Sequence, residues 1–406
     1  MAVTPAVAHV VTVGVLPGGD AEGALVAAAL GAAGVRVLSR ALVEDDEAAL
    51  QHALGPDDSL TVILAGAGGS AGDVVRRVLA RATGARLVLH ERMLAALEER
   101  YRRVDRPLPR RAERLALLPQ GATVWVPAAG EPAWALESGA RAFVVLPRDG
   151  AGAALEEHLV PFARARAAGH GAALTRTLRT AGVGAAALEE RLAEWLGQPD
   201  RGAEVSVLPA EGEVWVRLRA PGASVEDAAQ ALAAVESAVA AALGADCYGR
   251  DAETLELVVG RRLLERGLTL AVAESCTGGL LGHRLTNVPG SSAYFERGVL
   301  VYSNRAKQEL LGVPAEVLRA HGAVSAPCAE AMARGIVERA QSACGLAITG
   351  IAGPDGGTPA KPVGTVFVGL ALGGAVTSRH FRFAGDRAQV KWHSTQMALD
   401  MLRRAL

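Results

Sequence analysis

A three-domain α/β protein is the fold class this sequence predicts, and three observations carry the prediction. The chain has 406 residues, 50% of them hydrophobic, which is long enough for two or three separate cores rather than one. Near both ends, short apolar runs alternate with helix-length segments, the mark of β-α-β units with parallel strands. Between them, from Ala172 to Asp251, the order changes to that of a small α+β module.

The elements follow in order. In the first region "HVVTVGV", "VRVLSRALV" and "SLTVILAG" read as strands, and "AEGALVAAALGAAG", "DEAALQHAL" and "GDVVRRVLARATG" as the helices that accompany them. "RAFVVLP", Arg141 to Pro147, closes the region as a late strand. A helical stretch from Ala151 to Ala168 then leads to "GHG", a boundary signal. The middle module consists of "ALTRTLRTAGV", the helix "AAALEERLAEWLG", the strands "AEVSVLPA" and "EVWVRLRA", and the long helix "SVEDAAQALAAVESAVAAALG". From Thr254 a third unit places its strands in "LTLAVAE", "ERGVLVYS", "LAITGIAG", "GTVFVGLAL" and "TSRHFRFAG", with helices between them.

Composition narrows the function classes. Lys and Arg total 42 against 43 Asp and Glu, so no global field recruits nucleic acid or an anionic membrane. The middle module is too acidic and too poor in basic loops for a nucleic-acid surface, so no direct nucleic-acid site is expected. Cys247, Cys276, Cys328 and Cys344 have neither zinc-site spacing nor the density of a disulfide scaffold, which predicts reduced thiols and a cytoplasmic location. "MAVTPAVAHVVTVGV" lacks a basic start and is interrupted by His9, so it reads as a first buried strand rather than a signal peptide. The alanine-rich runs are broken by charges and glycines, and no membrane partner is expected.

Chemistry concentrates in the third unit. In "LTLAVAESCTGGLLGHRLTN" a strand ends at Glu274 and a helical pattern begins near Gly279. Unpaired N–H groups at such a helix start would let Ser275, Thr277, Gly278 and Gly279 cradle an oxyanion or phosphate; the competing reading is that Ser275 or Thr277 simply caps the helix. "GVLVYSNRAKQELLGV" supplies Tyr302 and Lys307. A buried, neutral Lys307 could take the Ser275 proton, with Tyr302 relaying it or orienting the amine, whereas an exposed Lys307 would be an ordinary solvated helix residue. "AITGIAGPDGGTPAKPVGTVFVGL" sets five glycines between Gly350 and Gly364, beside the Thr349 hydroxyl and the Asp355 carboxylate. One such loop is usually a turn; three at strand ends in one α/β unit point to a ligand site.

"AESCTGGLL", "GSSAYFERGVLVYSN" with its following lysine, "HGAVS", "TGIAGPDGG", "KPVGTV" and "GDR" together resemble the C-terminal domain of the competence/damage-inducible CinA proteins, which in many bacteria is a nicotinamide-nucleotide amidase. The resemblance implies hydrolysis of the carboxamide of nicotinamide mononucleotide to nicotinate mononucleotide and ammonia, with no cofactor. It puts the nucleophile on Ser275, its partners on Tyr302 and Lys307, a substrate-site hydroxyl on Thr349, and Arg387 in the site. Cys276 is expected to pack inward, because adjacent side chains leaving a strand point to opposite faces and no histidine accompanies the thiol.

The same family places ahead of this domain a molybdopterin-binding-like α/β domain and a small KH-like α+β module. That order gives expected boundaries at 1–170, 171–251 and 252–406. The resemblance also implies a homodimer, and the family name points to recombination proteins as further partners. Some full-length members hydrolyse ADP-ribose with a metal at the first domain. Here the chain departs: "LAGAGGSAGDVVRRV" stands where the family usually has "TGGLGPTxDD", and "GVLPGGDAEGALVA" stands where a "GTELLLG…NTN" type is usual. Only Asp73 survives of the acidic pair, a poor site for a divalent cation, so that activity is expected to be lost or much weakened. Gly66, Gly68 and Gly69 either retain a nucleotide or merely shape a turn. The amidase leads; a non-catalytic nucleotide-binding scaffold and residual ADP-ribose hydrolysis are the alternatives.

Overall fold

The computed structural model describes residues 6–14, 20–56, 58–65, 69–148, 150–198, 201–210 and 212–406. Packing divides the chain into two compact units, Met1–Thr175 with Arg219–Val235, and Arg176–Leu218 with Glu236–Leu406.

In the first unit Val7–Val13 pairs in parallel with Arg36–Val43 on one side and Leu60–Leu64 on the other, and Leu60–Leu64 pairs in parallel with Arg141–Leu146. Alternate side chains enter two cores. Val10, Val62 and Leu64 face one and Val11, Val13 and Ile63 the other, as strands covered on both faces require. Asp20 and Asp46 accept hydrogen bonds from the first-turn amides of the helices Ala21–Ala32 and Glu47–Ala53, which fixes where those helices start. The wholly parallel pattern read from the sequence is corrected at one edge. Ala133–Ser138 runs antiparallel to Arg141–Leu146, and Thr123–Trp125 antiparallel to Ala133–Ser138. The hairpin turns at Gly139, whose φ of 62° is the left-handed value a two-residue loop demands.

Gly66 and Gly68, and residues 15–19 of the first loop, lie outside the described residues. Gly69 opens the helix Gly69–Thr83. Asp73 on that helix is ion-paired with Arg76 and, at 3.3 Å, with Arg114.

The four strands of the middle module form a sheet in the order Glu204–Ala210, Glu213–Gly222, Ala172–Thr180, Cys247–Arg250. The helix expected over 185–197 stops at Arg191; the chain continues in turns, and Leu196 forms an isolated bridge with Val205. Among the described residues one helix, Val225–Asp246, has the length and mean hydropathy, 1.4, to cross a membrane. It carries Glu226 and Asp227 in its first turn, and its Glu236 pairs with Arg176 and Arg250.

The C-terminal sheet has the order Phe295–Leu300, Leu270–Glu274, Cys344–Gly350, Thr365–Leu372, Ala375–Arg382; the first three strands are parallel and the last two antiparallel. Leu270–Glu274 distributes its side chains with period two. Leu270 and Val272 join the core shared with the helices Leu255–Glu265 and Arg387–Ala405. Ala271 and Ala273 join the core shared with Asn304–Leu311 and Ala326–Ala340. Small residues let Ala326–Ala340 lie close to the sheet: a Cβ at Gly369 would overlap the Ala329 carbonyl and stand 3.2 Å from the Ala333 Cβ. We therefore expect Gly369→Ala to cost about 1–3 kcal/mol, read as a lower urea midpoint. Gly184→Ala, whose Cβ would meet nothing within 4 Å, serves as the comparison and should lower the midpoint less, its cost limited to the loss of glycine at a helix N-cap.

Candidate active site

The period-two alternation continues past the end of the strand and decides which side each residue serves. Glu274 and Cys276 fall on the side of Leu270 and Val272, whereas Ser275 falls on the side of Ala271 and Ala273, where Lys307 lies. The backbone here is tied to both neighbouring strands: the Ser275 amide donates to the Ile348 carbonyl at 3.0 Å, and the Val301 amide donates to the Glu274 carbonyl at 2.8 Å. Lys307 projects from Asn304–Leu311, a helix started by Ser303, whose Oγ accepts from the Ala306 amide at 3.1 Å, and stopped by Gly312 with φ 67°.

Lys307 is only 1% exposed, which removes the solvated-helix reading. Its Nζ lies 3.0 Å from Ser275 Oγ, 2.8 Å from the Val301 carbonyl and 3.4 Å from the Tyr302 carbonyl. Burial lowers its pKa below the ordinary lysine value, opposed only in part by the neighbouring Cys328 and Cys276 thiols.

Ser275 and Lys307 stand in a cavity of about 260 Å³ that Thr349, Gly350, Asp355, Tyr302 and Arg387 also line. Five of the residues singled out from sequence thus meet around the proposed nucleophile and base. The Thr349 hydroxyl is buried and donates to the Ala323 carbonyl at 2.8 Å, so toward the cavity its oxygen can only accept. Arg387, first residue of the last helix, donates to the Gly353 carbonyl at 2.7 Å and to the Tyr302 hydroxyl at 3.3 Å.

Two expectations change. Tyr302 is 64% exposed and its hydroxyl meets Arg387 rather than Lys307; because Lys307 reaches Ser275 directly, no phenol relay is needed. Thr277, Gly278 and Gly279 do not line the cavity. The Gly278 amide donates to the Ser275 carbonyl at 3.2 Å, the Gly279 amide to Glu274 Oε2 at 3.1 Å, and the Thr277 side chain is fully buried. The Gly278 and Gly279 amides build the turn and are spent within it.

The spending group is Glu274, which the sequence reading treated only as a strand end. Its carboxylate is 2% exposed and accepts from the amides of Gly279, Leu281 and Gly282 at 3.1, 3.0 and 2.8 Å. An acidic residue a few positions before a helix start was the available signal. A second buried contact fixes the same helix, Leu280–Thr286. Arg284 bonds Thr395 Oγ1 at 2.8 Å and Glu256 at 2.6 Å, and lies 4.3 Å from the Trp392 ring centre.

Cys276 is 6% exposed and belongs to the core on the far side of the sheet while closing one wall of the cavity. Burial pushes its thiol up to about 12. A thiol so rarely ionised at neutral pH is a poor nucleophile. Iodoacetamide at pH 7.5 should leave Cys276 unmodified in the folded protein, as judged by peptide mass mapping; rapid alkylation would contradict the assignment of its burial.

Three family models match along the chain in succession: "Probable molybdopterin binding domain" over residues 10–186, "Damage-inducible protein CinA KH domain" over 175–249, and "CinA C-terminal domain" over 252–406. A CinA-like protein of Geobacter sulfurreducens is 41% identical over 393 residues, covering 95% of this chain and 95% of its own length. A CinA-like protein of Gemmatimonas aurantiaca is 38% identical over 397 residues, covering 95% and 92%. Among solved structures, a CinA superfamily protein from Klebsiella pneumoniae is 37% identical with a TM-score of 0.36, covering 37% of this chain and 94% of its own. With three domain models in this order and relatives of this identity along nearly its whole length, the chain belongs to the CinA family.

Proposed function

We propose that the C-terminal domain hydrolyses the carboxamide of nicotinamide mononucleotide, releasing ammonia and nicotinate mononucleotide, with Ser275 as nucleophile and Lys307 as base. The observation that carries this reading is a buried amine 3.0 Å from a hydroxyl inside a cavity. A neutral amine has two N–H groups and one lone pair. The Val301 and Tyr302 carbonyls accept the two N–H groups, which leaves the lone pair for the Ser275 O–H.

Ser275 donates its proton to Lys307 and attacks the carboxamide carbon. The oxyanion is held by the amide of Cys276, the residue that follows the nucleophile and lines the cavity. The Thr349 oxygen accepts an N–H of the carboxamide and so orients it. Lys307, now an ammonium, returns its proton to the departing nitrogen, and ammonia leaves. Water, deprotonated by the same amine, then hydrolyses the acyl-enzyme. The two charged groups on the rim suit a substrate carrying both signs: Asp355 faces the cationic pyridinium and Arg387 the anionic phosphate. With the first-turn amides of Leu280–Thr286 already occupied, the phosphate needs a guanidinium rather than a helix end.

Ser275→Ala should lower ammonia release from nicotinamide mononucleotide by about 10⁴-fold or more. Lys307→Arg should lower it by about 10² to 10⁴-fold, because guanidinium stays protonated. Only the neutral amine accepts a proton, so kcat/KM should rise with pH through a midpoint below the ordinary lysine value of 10.5. Full activity in Ser275→Ala, or in Lys307→Arg, would refute the corresponding role. ADP-ribose should be left uncleaved with or without divalent metal, because the Asp73 carboxylate is already matched by Arg76 and Arg114. Tight nucleotide binding without any turnover would favour the scaffold reading instead.

A further inference from the structure

We infer that Glu274 is the positioning residue of the nucleophile: its carboxylate holds the turn that sets Ser275 against Lys307. The inference rests on the serine–lysine reading above. Four observations lead to it. The carboxylate is almost fully buried, yet among the described residues no Lys or Arg pairs with it; its acceptors are satisfied by backbone alone, the amides of Gly279, Leu281 and Gly282. Hydrogen bonds of amides to a carboxylate at a helix start are among the strong ones, because the helix dipole favours the same charge. The side chain therefore reaches over the next five residues and clamps the helix start to the strand end.

The clamp encloses Ser275. The serine amide is held by the Ile348 carbonyl, and its own carbonyl by the Gly278 amide. The reversal that follows needs left-handed backbone at Gly278, φ 64°, and Gly279, φ 93°. The Glu274 carboxylate then fixes the far side of that reversal. Through its main chain Glu274 also anchors the base, because its carbonyl accepts from the Val301 amide and the Val301 carbonyl accepts from Lys307 Nζ. One residue thereby ties both reacting groups to one strand end.

Glu274 does not touch the reacting atoms. It lies on the opposite side of the strand from Ser275 and lines a separate cavity, with Gly282, Phe295 and Gly298, rather than the one that holds Ser275 and Lys307. Its contribution is geometric. Glutamine keeps the volume but presents an NH2 group to one set of amides, and aspartate keeps the charge but is one methylene short.

The test measures Glu274→Gln and Glu274→Asp in the full chain, by two readouts. In the first, kcat for nicotinamide mononucleotide falls by about 10 to 100-fold, because small displacements at a reacting centre cost that much. KM stays within about twofold, since the substrate's other contacts are untouched. In the second, which needs no particular substrate, the rate of Ser275 labelling by a fluorophosphonate probe falls in parallel. Circular dichroism should show that the variants remain folded, and the pH midpoint should stay that of the wild type, because Lys307 makes no contact with the Glu274 carboxylate. A folded Glu274→Gln variant with wild-type labelling and kcat would overturn the inference. So would a loss that follows only the unfolded fraction. If the wild type is labelled at Ser275 yet leaves the mononucleotide intact, the substrate reading fails and the labelling comparison alone decides on Glu274. If the wild type is neither labelled nor active, both fall.

Discussion

A lysine amine stripped of its water, Lys307 held 3.0 Å from the Ser275 hydroxyl, is the interaction on which the rest of the C-terminal domain depends. An ammonium has no favourable place in a core made of Val301, Leu311, Val313, Cys328 and Met332. Burial favours the neutral amine and lowers the Lys307 pKa below the ordinary lysine value, which suits the amine to act as a base. Two main-chain carbonyls absorb the polarity that remains. In the proposed mechanism, activation of the serine follows from burial and does not require a histidine or a carboxylate beside the amine.

The fold supplies this arrangement by simple periodicities. Alternation along Leu270–Glu274 directs Ser275 toward one helical layer and Cys276 toward the other, so two adjacent nucleophilic residue types come to have opposite fates. Parallel pairing with Phe295–Leu300 brings the Val301 carbonyl to the end of the same strand. The helix that follows returns Lys307 to that carbonyl. The cavity opens where the carboxyl ends of parallel strands meet the glycine loop after Cys344–Gly350, the place where open α/β sheets bind ligands.

Much of this was legible in the residues. The strand-turn-helix at Ser275, the separate helix bearing Lys307 and the glycine loop carrying Thr349 and Asp355 each have local sequence signals, and the inward packing of Cys276 follows from strand geometry. What was not legible depends on partners distant in sequence or on main chain. Nothing in "AESCTGG" says that the glutamate takes the very amides a phosphate would have used, because a side chain's choice of backbone donor is settled by tertiary placement. The direction of Tyr302 likewise depended on Arg387, far away in the chain. In the first domain, the antiparallel strands Thr123–Trp125 and Ala133–Ser138 were missed because they are short and lack the helices that mark β-α-β units.

Ionisation of Lys307 tests the central claim most directly. Nitrogen-15 NMR of the lysine side chains, with Lys307 assigned through Lys307→Arg, would follow its Nζ across a pH titration of the full chain. A midpoint clearly below the ordinary lysine value of 10.5, with the neutral amine present at the pH of catalysis, is the predicted result. A Lys307 that titrates at or above that value would remain an ammonium, leave the Ser275 proton without an acceptor, and contradict the serine–lysine mechanism.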